Sequence, residues 1–171
     1  YVGHPLASVL AAPVARAAAR RALGLAEQGV LLALLPGSRA AEVEHLAPRF
    51  LQAAVRVRQA RPQVRFVLPA VPHLLPRVQA LVQASGLGPT VTVLRGQSHA
   101  ALAACDLTLI VVPELLQDAA TPEALASALL DWLAAPEKMA AVEARFAALH
   151  EELRRDTARL ATDAIEELLA R

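Results

Sequence analysis

Val30-Leu31-Leu32-Ala33-Leu34-Leu35, closed by Pro36-Gly37-Ser38-Arg39, is the stretch that decides the fold of this chain. Its apolar residues leave no polar face, which suits a parallel strand buried on both sides. A membrane span needs about 18 consecutive apolar residues, and no such stretch occurs. A soluble chain is expected, one still able to lie against a membrane.

The pattern repeats outward from this run. Pro48 opens a helical stretch to about Arg61, with Phe50, Ala54 and Val57 at helical spacing and Pro62 at its end. Residues 64–68 read as a second strand stopped by Pro69, and 74–84 as a helix stopped by Ser85-Gly86. Residues 91–94 are a third strand, followed by a turn at Gly96. Ser98 is placed to cap a short helix over 99–104, and 107–112 is a fourth strand. Beyond Pro113 the pattern changes. Thr121-Pro122-Glu123 is an N-cap with Pro at the first helical position, for a helix to about 134. After Pro136 there is neither Gly nor Pro as far as Arg171, and Met139, Val142, Phe146, Leu149 and Leu153 keep helical spacing. The tail is therefore expected to be helical throughout, in one or two pieces. Strands alternating with helices predict an α/β fold: a Rossmann-like parallel sheet with flanking helices and a helical C-terminal tail. Any ligand belongs at the carboxyl ends of the strands.

Composition agrees. The chain has 171 residues, 56% hydrophobic and 3% aromatic, so one domain with a core of small aliphatics is expected and intrinsic disorder is excluded. The net charge of +1 is too balanced for a nucleic-acid binder. It hides an asymmetry, because residues 1–110 carry +7 and the remainder −6. Such a division marks either a basic part facing an anion or two parts that attract each other. A single cysteine, Cys105, excludes a disulfide framework and reads as a small core residue in a reducing compartment. Tyr1-Val2-Gly3-His4-Pro5 has no signal-peptide layout.

The best candidate for chemistry is the turn after the first strand. Gly37 allows a tight turn and close backbone approach. Ser38 adds a hydroxyl, and Arg39 a planar fork of donors suited to phosphate oxygens. Glu42 stands three residues on, where it can orient Arg39 or cap the turn. The same residues also read as a plain strand-to-helix turn with an exposed Arg. Gly96-Gln97 follows the third strand and should share the rim, though an ordinary turn explains it as well. Asp106 is expected to hydrogen-bond at the start of the fourth strand. The histidines are scattered without metal-ligand spacing, so no structural zinc is expected, and no residue pattern calls for a cofactor. No catalytic nucleophile or acid–base pair stands out.

Tyr1-Val2-Gly3-His4-Pro5-Leu6, followed by Leu35-Pro36-Gly37-Ser38-Arg39 with Glu42-Val43, resembles the lipid-A-disaccharide synthases of Gram-negative bacteria. Ala103-Ala104-Cys105-Asp106, Val112-Pro113-Glu114-Leu115-Leu116-Gln117 with Thr121-Pro122-Glu123, and Phe146-Ala147-Ala148-Leu149-His150 extend the likeness almost end to end. The resemblance implies one half of a GT-B glycosyltransferase that needs no metal. Such an enzyme transfers diacylglucosamine from UDP-diacylglucosamine to diacylglucosamine 1-phosphate, giving a β-1,6 disaccharide 1-phosphate and UDP. It implies a peripheral enzyme at the cytoplasmic face of the inner membrane. Residues 1–112 would be the nucleotide-sugar-binding part, and 113–171 a helical segment packing on it or on a partner domain. Gly37, Ser38 and Arg39 would lie near the UDP phosphates with Glu42 in support, and Gly96 and Gln97 on the nucleotide rim.

The chain also departs from the family. The N-terminal half, with the acceptor site and the general base, is not among these residues. A further gap falls between Ile110 and Val111, where the family carries a Ser-Gly-Thr-Ala-Thr-Leu-Glu stretch and a Leu-Pro-Asn segment. No catalytic residue is therefore assigned, and sugar transfer by the chain alone is not expected. Two rivals remain. One is another UDP-GlcNAc-related GT-B enzyme, such as an epimerase or a peptidoglycan-precursor glycosyltransferase. The other is a non-catalytic fragment that assembles through its helical tail. Exchange of that tail between protomers would give a domain-swapped homodimer.

Overall fold

Leu31–Leu35 forms strand β1, with Leu31 to Leu34 buried as a strand flanked on both faces requires. The computed structural model describes residues 14–110, 120–153 and 156–169. The described residues divide into two units, one within 14–133 and the other beyond 133.

In the first unit, α1 (Arg16–Ala22) precedes β1, and α2 (Ala40–Ala60) and β2 (Arg65–Ala70) follow it. A 3-10 turn at Pro72–Leu74 runs into α3 (Leu75–Ala84), and a second at Gly88–Thr90 leads to β3 (Val91–Arg95). Then come α4 (Ser98–Ala104), β4 (Leu107–Ile110) and α5 (Pro122–Leu133). The four strands are parallel in the order β3-β2-β1-β4, with Leu32 paired to Phe66 on one side and Leu107 on the other. This is the expected α/β, Rossmann-like sheet. Alternate β1 residues point to opposite faces. Leu32 and Leu34 join Phe66 and Leu68 against Val43, Phe50, Leu51 and Val57 of α2, Val78 of α3 and Leu125 of α5. Leu31 and Ala33 join Val67 and Leu94 against Ala19 of α1 and Ala101 and Ala104 of α4.

Three local expectations are corrected. Pro48 does not open its helix, because α2 starts at Ala40 and carries Pro48 inside it. Buried Val43, Ala47, Phe50, Ala54 and Val57 form one continuous stripe through that position, and its packing outweighs the backbone hydrogen bond lost at Pro48. Pro69 does not stop β2, which continues to Ala70. Ala70 accepts from the Gly96 N–H on the β3 side. Pro69, one residue earlier, therefore turns its nitrogen toward β1, where pairing has ended at Val67. Ser98 is not a cap but the first residue of α4, and Gln97 holds the N-cap position. The Thr121 cap is as expected, since its hydroxyl accepts from Ala124 N–H at 3.2 Å. Residues 111 and 112 of the fourth strand, the Tyr1 to Leu6 motif and the Val112 to Gln117 motif lie outside the described residues.

A buried cation, unread in the sequence, ties α1 to the amino ends of the strands. Arg20 is 3% exposed. Its Nε donates to Ala104 O at 2.8 Å, its Nη1 to Glu27 O and Gly29 O at 2.9 Å, and its Nη2 to Asp106 Oδ2 at 2.7 Å. The same Asp106 oxygen accepts from Leu31 N–H at 2.8 Å, and Asp106 N–H donates to Leu31 O at 2.8 Å. Asp106 does hydrogen-bond at the start of its strand, but its partners lie 75 and 86 residues away. Cys105 is buried, as expected, with Sγ 3.1 Å from Thr108 Oγ1. Burial above all pushes its thiol pKa up, so it is a packing residue rather than a nucleophile.

In the second unit, α6 (Pro136–Leu153) and α7 (Thr157–Leu169) make up the helical tail. Asp156 caps α7 by accepting from Arg159 N–H at 3.1 Å. Among the described residues no helix is long and apolar enough to cross a membrane.

Removing Asp106 leaves Arg20 buried with an uncompensated charge. Asp106→Ala is expected to cost about 3 kcal/mol, read as a lower urea midpoint, and Asp106→Asn distinctly less because it keeps an acceptor.

Candidate functional site

The chain leaves β1 for β2 on one side, and β4 later pairs on the other, so the strand order reverses at β1. A crevice opens at the carboxyl ends beside such a reversal. The cleft found there has a volume of about 440 Å³. Leu35, Pro36, Gly37 and Ser38 line it after β1, Pro69, Ala70 and Val71 at the end of β2, and Gly96 and Ser98 after β3. Ile110 closes it at the end of β4, and Glu42 and Leu46 of α2 complete the wall.

The structure thus brings four of the six candidates, Gly37, Ser38, Glu42 and Gly96, onto one wall. Arg39 and Gln97 adjoin it in sequence but are not part of the wall itself. Leu46, Val71, Ser98 and Ile110 were missed by sequence reasoning. The signal that finds them is their place at a strand end or one turn into the following helix.

The turn after β1 is shaped by one carboxylate. Glu42 Oε2 accepts from Ser38 N–H at 2.9 Å and from Arg39 N–H at 3.1 Å. Its Oε1 accepts from Arg39 Nη1 at 3.2 Å. Glu42 is the third residue of α2 and Arg39 its N-cap, so this is half of a capping box. Arg has no acceptor to give in return, and its guanidinium supplies the second contact instead. The Ser38 and Arg39 N–H bonds, with the Arg39 charge, hold the Glu42 pKa below its ordinary 4.5. Gly37 is obligatory here. Its φ is +123°, and a Cβ would stand 2.4 Å from Glu42 Oε2 and 2.6 Å from Glu42 Cβ.

The turn after β3 has unusual backbone as well. Gly96 has φ +70° and Gln97, which is not a glycine, φ +62°. Consecutive left-handed residues swing the chain from β3 into α4 within two positions and bring Ser98 to the cleft. A left-handed Gln costs on the order of 1 kcal/mol, and such strain gathers at binding sites.

Chemically, the cleft offers a hydroxyl at Ser38, a guanidinium at its margin and two glycine turns that admit close approach. Leu46, Val71 and Ile110 add apolar surface to the same lining. This combination suits an anion attached to a less polar body. Among the described residues no cluster of His, Cys, Asp and Glu could hold a metal ion.

Residues 1–112 match the sequence model of the lipid-A-disaccharide synthetase family. The chain is 41% identical over 222 residues to the lipid-A-disaccharide synthase of Albidiferax ferrireducens, and 42% over 223 residues to that of Verminephrobacter eiseniae. Each alignment covers 99% of this chain and 57% of the relative. The enzyme of Pseudomonas savastanoi is 38% identical over 219 residues, with 99% and 56% covered. The chain therefore spans little more than half the length of these relatives. Their alignments exceed its 171 residues by roughly fifty positions, so the relatives carry additional residues within the matched span.

Two outcomes test the turn. Gly37→Ala is expected to lower stability by about 1–3 kcal/mol in urea denaturation, because the added methyl both strains the backbone and displaces Glu42. Glu42 has a lowered pKa in the folded state, so its stabilisation is complete above the ordinary 4.5 and is lost as pH falls through the folded value. The urea midpoint of Glu42→Gln should accordingly fall less steeply than that of the wild type below pH 4.5.

Proposed function

The chain belongs to the lipid-A-disaccharide synthase family, and from that premise we propose that it forms the donor-binding half of a GT-B glycosyltransferase of lipid A biosynthesis. The observation that carries this reading is the cleft at the carboxyl ends of the sheet. Gly37 and Ser38 of the turn after β1 and Gly96 of the turn after β3 line it, with Arg39 and Gln97 next to them in sequence.

The donor is a UDP-linked diacylglucosamine and the acceptor diacylglucosamine 1-phosphate. Transfer joins the glucosamines by a β-1,6 bond and releases UDP. Gly37 and Ser38 approach the UDP phosphates, and Arg39 swings its exposed guanidinium over them, giving paired N–H to oxygen bonds. Gly96 and Gln97 lie on the nucleotide rim, and Glu42 supports the turn. No residue of this chain is assigned as the general base.

Residues 1–112 act as the nucleotide-sugar part. Residues 113–171 supply helices that pack on it, as α5 does against α2, where Arg56 pairs with Glu123, or on a partner domain. Exchange of the tail between two protomers would give a domain-swapped homodimer. The enzyme works as a peripheral protein at the cytoplasmic face of the inner membrane, where the excess of Arg in residues 1–110 suits both an anionic donor and an anionic surface.

A UDP titration by calorimetry tests the reading. The wild-type chain is expected to bind UDP weakly, and Arg39→Ala to weaken that binding about tenfold. Binding unaffected by Arg39→Ala overturns the phosphate assignment. No UDP binding at all overturns the donor-site reading and favours a fragment that only assembles.

A further inference from the structure

We infer that Glu42 serves this site as a positioning residue. Its carboxylate sets the pose of the Arg39 guanidinium and the Gly37–Arg39 turn and makes no contact with the donor. The inference rests on the donor-site reading above and concerns how that site is held.

Glu42 lines the cleft, so direct contact with a ligand is the obvious alternative. Its chemistry argues against it. Both oxygens are engaged, Oε2 by two backbone N–H groups and Oε1 by the Arg39 side chain. Those bonds keep its pKa low, so it is an anion at neutral pH. A second anion brought directly against it would meet like charge. A carboxylate so occupied acts on a phosphate only through the cation that it holds and the turn that it shapes.

The Arg39 guanidinium needs such a holder. Its side chain is 84% exposed, with Glu42 Oε1 as its ion-pair partner at 3.2 Å. An Arg tethered at one nitrogen keeps the others free for phosphate oxygens and loses less rotamer freedom when it binds. The spacing is fixed by the helix, because residues three apart share a face. The missing side chain at Gly37 completes the device, since a Cβ there would occupy the place of Glu42.

A double-mutant cycle on UDP affinity decides the matter, with urea midpoints measured in parallel. Glu42→Gln retains a capping acceptor but loses the charge that holds Arg39, and is expected to weaken UDP binding about threefold to fivefold. In an Arg39→Ala background the same substitution should cause no further loss, because its effect passes through Arg39. An equal loss in both backgrounds overturns the inference, as would unchanged affinity. Tighter UDP binding by Glu42→Gln also overturns it, by showing that the carboxylate repels or competes with the phosphates. If Glu42→Gln lowers the urea midpoint so far that its affinity reads instability, Glu42→Asp carries the same cycle. Failure of the wild type to bind UDP, or of Arg39→Ala to weaken it, strikes the donor-site reading instead.

Discussion

β1 has no face for water. Leu31 to Leu34 are buried on alternate sides, so the strand must have neighbours at both edges and helices above and below. The rest of the first unit follows. β2 and β4 flank it, α2, α3 and α5 cover one face, and α1 and α4 cover the other. Because β1 is central, its carboxyl end is where the strand order reverses, and the turn after it opens into the cleft. The constraint that forms the core therefore also places Gly37 to Arg39.

The two faces solve the packing differently. The α2 face uses large side chains, with Phe50 and Phe66 wholly buried. The α1 and α4 face uses Ala19, Ala33, Ala101 and Ala104, which bring short helices close to the sheet. Small residues bury little apolar area each, so that face gains less from hydrophobic transfer. Arg20 compensates there, reaching from α1 to Ala104 O, to two carbonyls of the loop before β1 and to Asp106. A buried charge so fully hydrogen-bonded adds geometric definition where side-chain volume cannot. The latch lies at the amino ends of the strands, so the fold is fastened at one end, with the cleft at the other.

The strands and their order were legible because four short apolar runs, each bounded by Pro, Gly or a polar residue, admit little besides a parallel sheet. The turn at Gly37 to Glu42 was legible for the same reason. Punctuation misled where packing overrode it. Pro48 looks like a start and Pro69 a stop, yet one lies within a helix whose buried stripe runs through it and the other faces an unpaired strand edge. The Arg20 latch was not legible, because its partners lie up to 86 residues apart and its binding to carbonyls leaves no mark in side-chain chemistry. The apolar wall of the cleft was missed because Leu46, Val71 and Ile110 are ordinary aliphatics. Only the sheet brings them to one rim.

The cleft's charge follows from the same economy of parts. A turn that presents backbone N–H groups and an Arg is strongly cationic, and left alone it would bind any anion. Glu42 neutralises the turn locally, through two backbone hydrogen bonds and one to the guanidinium. What remains is a dipolar arrangement whose attraction for a ligand depends on geometry more than on net charge. In the proposed donor site, selectivity would come from that turn together with the apolar lining residues Leu46, Val71 and Ile110 and the left-handed Gly96-Gln97 turn after β3. A free phosphate satisfies only the first of these. A phosphate carried on a larger, partly apolar molecule would meet all three, which is the chemistry that the proposed donor site requires.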